Sequence, residues 1–154
     1  MQGNDRIITT LNALLADELT AISMYMVHSE MCDNWGYEKL HKAIEQQAMD
    51  EMHHAEWLIQ RIIFLEGLPI VSRLNPMQIG TSVLEMVTND QNAELGAIAA
   101  YNAAIRLAHE VDDQGTVDLL MKNLKMEEDH EDWGEKQRAQ IEQMGLENYL
   151  TEQV

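Results

Sequence analysis

The sequence has a single cysteine, Cys32, so no disulfide can form within the chain. A thiolate-rich metal site is excluded with it, and a reducing compartment fits. Prolines number two, Pro69 and Pro76, and both fall in one short stretch, so nothing elsewhere interrupts long helices. Basic residues are scarce, 10 Lys and Arg against 27 Asp and Glu, for a formal net charge of -17. That charge repels phosphates and so argues against nucleic acid or an anionic membrane as partner, while it favours cations. No uninterrupted apolar run approaches the roughly 20 residues of a membrane span. The opening "MQGNDRIITT" lacks the apolar core of a signal peptide. A cytoplasmic protein is expected.

The chain does have apolar content, 45% of its 154 residues, enough for one domain spanning 1–154 with a sizeable core. Ala, Leu, Met, Glu and Gln abound, and all are good helix formers. Apolar residues recur at spacings of three and four. Leu11, Leu15, Ile22 and Tyr25 form one stripe around Glu18, and Leu40, Ile44, Leu58 and Leu65 a second around Glu51 and His54. Val87, Ile98, Tyr101 and Ile105 surround Glu94. Leu120, Leu124, Ile141 and Met144 surround Glu127 and His130. This periodicity predicts an all-α fold of four helices, each about 45 Å long at 1.5 Å per residue. Breaks are expected at 33–38, 66–82 and 112–115, and Gly145 sets off a short fifth helix. The outer breaks are tight and join antiparallel neighbours. The middle one is long enough to recross the bundle, about 50 Å when extended. Two helical hairpins then lie side by side about a pseudo-two-fold axis.

The chain also repeats itself. "ELTAISMY" from Glu18 returns 76 residues later as "ELGAIAAY" from Glu94. "EMHHAEW" from Glu51 returns at the same offset as "EEDHEDW" from Glu127, with Glu, His and Trp in register. Each half thus offers one Glu and, 33 residues on, a Glu-x-x-His. Residues i and i+3 share a helix face, so Glu51 with His54, and Glu127 with His130, point into the bundle together. Four carboxylates in a low-dielectric core cost many kcal/mol uncompensated. Two divalent cations cancel their charge, and the oxygen and imidazole donors suit iron or manganese, with zinc able to compete. Di-iron carboxylate bundles use this arrangement, a Glu from each of two helices and Glu-x-x-His from each of the others. A lone Glu-x-x-His is more often a surface polar pair. Two of them on core stripes, each with its own partner Glu, are not.

At this point the sequence resembles the bacterioferritins along its whole length, in "LNALLADELTAISMY", "WGYEKL", "DEMHHAE", "RIIFLEGLP", "EEDHEDW" and "GLENYL". The resemblance implies a ferritin-like four-helix bundle with a long crossover between helices 2 and 3. It implies a hollow 24-subunit shell, built from dimers, that oxidises Fe(II) with O2 or H2O2 and stores ferric mineral. Glu18 and His54 would be terminal ligands of one iron, Glu94 and His130 of the other, with Glu51 and Glu127 bridging. Met52 would ligate haem b at the subunit dimer interface. Tyr25 reads on spacing alone as a core aromatic, and the resemblance gives it a role as electron donor near the di-iron site. Tyr101 occupies the equivalent position with no role implied. A [2Fe–2S] ferredoxin would release the iron. One departure concerns Asp50, which in the family joins a histidine four residues earlier on the inner shell surface. Gln46 stands at that earlier position and is a poor metal ligand. The alternatives are a di-metal peroxidase or catalase of the same superfamily and, less in keeping with the acidity, a DNA-protecting mini-ferritin.

Overall fold

A computed structural model describes residues 1–154. It contains helices and no strand. Helix α1 spans Asp5–Asn34, α2 Glu38–Phe64, α3 Val83–Glu110, α4 Gln114–Met144 and the short α5 Leu146–Thr151. Helices α1, α3 and α4 begin on side-chain caps that satisfy some of their otherwise unpaired N–H groups. Asn4 accepts from the Arg6 amide at 2.8 Å, Ser82 from Glu85 at 3.2 Å and Asp113 from Thr116 at 3.1 Å. Gly36 and Gly145, with φ of 85° and 81°, supply the left-handed backbone at two of the breaks.

Helices α1 and α2 form one antiparallel hairpin and α3 and α4 the other. Between them runs the crossover, laid along α1 and fastened to it at several levels. Asn12 accepts from the Ile70 amide at 2.8 Å and donates to the Leu68 carbonyl. Thr20 accepts from the Asn75 amide at 2.8 Å, and Asp17 accepts from the Asn75 side chain at 2.7 Å. His28 Nε2 accepts from the Gly80 amide at 2.9 Å. Gly80 has no alternative here, because a Cβ would stand 2.6 Å from the Met86 nitrogen.

The core is split in two. One apolar cluster holds Leu11, Leu15, Leu58, Ile62, Ala108 and Leu120, the other Met24, Leu40, Ile44, Met86, Ile141 and Tyr149. Tyr149, from α5, is fully buried and ties the tail to the bundle by donating to Gln137 at 2.7 Å. Between the clusters lies a polar layer. By length and composition α1 is apolar enough to cross a bilayer, although the apolar residues are interspersed with polar ones; half of that stretch is buried in the bundle.

Candidate metal centre

The polar layer is made of Glu18 on α1, Glu51 and His54 on α2, Glu94 on α3, and Glu127 and His130 on α4. All six are buried, none more than 7% exposed. The i, i+3 spacing on α2 and α4 sets each Glu-x-x-His on the inward face, and the antiparallel hairpins bring the four helices to one level. His54 Nδ1 lies 3.1 Å from Glu51 Oε2 and 2.9 Å from Glu127 Oε1. His130 Nδ1 lies 3.0 Å from Glu51 Oε1 and 3.7 Å from Glu127 Oε2. Glu51 and Glu127 therefore each turn one oxygen to each histidine. Glu18 Oε2 is 3.6 Å from His54 Nδ1, and Glu94 Oε1 is 3.5 Å from His130 Nδ1.

Two sets of donor atoms result, each within a sphere small enough for a single ion. One is Glu18, Glu51, His54 and Glu127. The other is Glu51, Glu94, Glu127 and His130. Glu51 and Glu127 belong to both.

Burial and mutual repulsion control the protons of this layer. Burial, with the charge of Glu18 beside it, pushes Glu51 up to about 7. Burial, with Glu127 as neighbour, pushes Glu94 up to about 8, and Glu18 shifts in the same direction. Burial works against a charged imidazole, yet Glu127, Glu18 and Glu51 together push His54 up to about 12. His130 is raised likewise by Glu127, Glu51 and Glu94, against the burial that disfavours its charge. Protons on the rings and carboxylates thus hold the layer together when no cation does. A cation fits the remaining geometry. Glu18 Oε2 and Glu94 Oε2 are buried with no hydrogen-bond partner, one in each half, and buried polar atoms are rarely left so.

A family model for the ferritin-like domain matches residues 8–144. The chain belongs to the ferritin family. It is 41% identical to a bacterial ferritin of Synechocystis over 100% of this chain and 99% of that protein. It is 40% identical to a bacterial ferritin of Pseudomonas aeruginosa, with both chains covered completely. To a bacterioferritin of Mycolicibacterium paratuberculosis it is 37% identical over 97% of this chain and 94% of the relative.

Within this ferritin fold the two tyrosines gain a definite place. Tyr101 donates to Glu18 Oε1 at 2.6 Å, and Tyr25 donates to Glu94 Oε1. Glu18 and Glu94 are each held through one oxygen by the tyrosine of the opposite half, and the other oxygen is the one left free. On sequence alone Tyr101 has no role, and Tyr25 reads by spacing as a core aromatic and by the resemblance as an electron donor. The 76-residue offset was the signal that could have paired them. Asn123 also donates to the Tyr101 hydroxyl, at 3.2 Å.

Met52 is exposed on α2, outside the layer. Asp50 reaches the edge of the site, its Oδ2 3.0 Å from His130 Nε2. His28 is fully buried, and its Nδ1 lies 2.8 Å from Asp90 Oδ1. A cavity of about 470 Å³ opens beneath the crossover and reaches Glu18, Glu51, Glu94 and Glu127 between α1 and α3. Asp17, Asn75, Gln78, Asn89 and Asn92 line its polar part.

Proposed function

We propose that this chain stores iron and is a ferroxidase, taking Fe(II) as substrate at the layer formed by Glu18, Glu51, His54, Glu94, Glu127 and His130. The observation that carries this is the pair of unpartnered oxygens, Glu18 Oε2 and Glu94 Oε2, facing the shared carboxylates Glu51 and Glu127 in a buried layer. Glu18 and His54 would hold one iron and Glu94 and His130 the other. Two bound Fe(II) ions supply electrons to O2 or H2O2. The chain's own groups do the rest. The tyrosine hydroxyls fix the terminal carboxylates in register. Glu51 and Glu94 release the protons they hold near neutral pH, and the imidazoles release theirs from Nδ1 as cations arrive. The apolar clusters on either side exclude water, and the net charge of -17 draws cations towards the chain.

On the same reading the chain assembles with copies of itself, as a 24-mer of dimers in the cytoplasm. Met52, exposed on α2, offers its thioether to haem b between two subunits. A small [2Fe–2S] ferredoxin would return electrons for iron release.

The test is anaerobic Fe(II) titration of the metal-free protein, followed by air. Two irons per chain before oxidation and many more afterwards are expected. Glu18→Ala and His130→Ala should each abolish the fast phase of oxidation while the helical content is unchanged. Wild-type rates in both would overturn the site. Peroxide consumption with no mineral would point to a peroxidase instead. Met52→Leu should yield protein without haem, and stoichiometric haem in that variant would refute the ligation.

A further inference from the structure

The repeat that relates the two halves fails at one place next to the site. Each histidine has a second ring nitrogen facing away from the shared carboxylates, and each meets the residue just before the bridging Glu of the other half. His130 Nε2 meets Asp50, whose Oδ2 is 3.0 Å away. His54 Nε2 meets Met126, whose Sδ is 3.2 Å away. Positions 50 and 126 are the same position of the repeat, 76 residues apart, occupied once by a carboxylate and once by a thioether.

The two partners differ in what they do to a ligating imidazole. A carboxylate that accepts the outer N–H fixes the ring and its tautomer and makes the inner nitrogen a stronger donor; a neutral thioether is a weak acceptor. Asp50 is itself held in place. Gln46 donates to its Oδ1 at 3.0 Å, leaving Oδ2 for His130. Gln46, Asp50 and His130 make one chain of contacts into the site, and Met126 has no such support.

We propose that the two metal positions are unequal, the Glu94/His130 position binding more tightly and filling first, and that Asp50 against Met126 sets the difference. This deepens the ferroxidase reading and rests on the two metal positions it assigns. Asp50 and Met126 are positioning residues that act through the histidines. In oxidation, the Glu18/His54 position is the one that fills last and exchanges fastest.

Cobalt(II) is the probe, titrated without oxygen into the metal-free protein and read by its visible absorption. The wild type should show two steps of one ion each, separated by roughly ten- to a hundred-fold in affinity. Met126→Asp places a carboxylate oxygen at the chain position now held by Sδ. It should tighten the weaker step and merge the two. Asp50→Asn keeps the size but removes the charge, and should weaken the tighter step by about tenfold. A gain in affinity from Met126→Asp is not an effect that damaged packing could produce. Two equal steps in the wild type, or both variants leaving each step unmoved, would overturn the inequality while leaving the metal site standing. Failure of the wild type to bind cobalt at all would overturn the site and the inequality with it.

Discussion

The first hairpin and the second carry the same Glu and Glu-x-x-His residues in the same register and differ in what surrounds them. Glu18 and Glu94 are each held by the tyrosine of the other half, and Glu51 and Glu127 each reach both histidines. Around this symmetric centre the partners diverge. Tyr101 has Asn123 as a second neighbour, where the equivalent position near Tyr25 is Gln47, with no hydrogen bond to the hydroxyl. His28 and Asp90 form a buried polar pair where the repeat places Ala104 and Leu14, two members of the apolar core. Two adjacent cations, on the proposed reading, would demand the same donors from both halves at six positions. The surroundings are free to serve other needs, and in the first half the need is to anchor the crossover.

The largest break in this comparison should come from His28→Ala. It leaves Asp90 buried without its partner and frees Gly80 from α1, for an expected loss of about 3 kcal/mol in stability. Chemical denaturation measures it. A loss under about 1 kcal/mol would mean that the crossover holds without this anchor.

A change of pH should separate the empty layer from a filled one. Glu51 and Glu94 titrate at about 7 and about 8 in the folded chain, above their ordinary value of 4.5. A raised carboxyl favours folding fully below that ordinary value and ceases to do so as pH rises through the raised one. The metal-free protein should therefore melt at falling temperature between about pH 5 and pH 8. Bound cations need ionised carboxylates, so their stabilisation should grow over the same range. Parallel thermal melts with and without cobalt would show it, and a metal-free protein more stable at pH 8 than at pH 5.5 would refute it.

The smallest effect sharpens the comparison between the tyrosines. Tyr25→Phe and Tyr101→Phe each remove a donor to a buried carboxylate, at about 1–3 kcal/mol. Tyr101→Phe should cost the metal-free protein more, because Asn123 also loses its acceptor. Equal losses would show that Asn123 adds nothing.

Much of this architecture was legible in the sequence because it is written in periods. The 3.6-residue stripes marked the four long helices, and the breaks at Gly36, at the prolines and at 112–115 fell where the helices end. The 76-residue offset marked the six polar residues that converge. Contacts without a period were not legible. His28 meets Asp90 and Gly80 across 62 and 52 residues, separations that no spacing rule addresses. Asp50 precedes Glu51 and so starts about 100° around the helix from it, yet its carboxylate ends 3.0 Å from a histidine of the other hairpin. Gly134 remains unexplained, for a Cβ there would meet only Gln91, at an ordinary 3.7 Å.

The split core has one more consequence. Each apolar cluster draws side chains from all four long helices, so each closes the bundle on its own. The helices are clamped above and below the polar layer, as a string is held at both ends. Two ions with their charge can arrive and depart at the midpoint while the clamps keep every helix in step. What happens in the middle layer is thereby mechanically separated from the contacts that close the bundle.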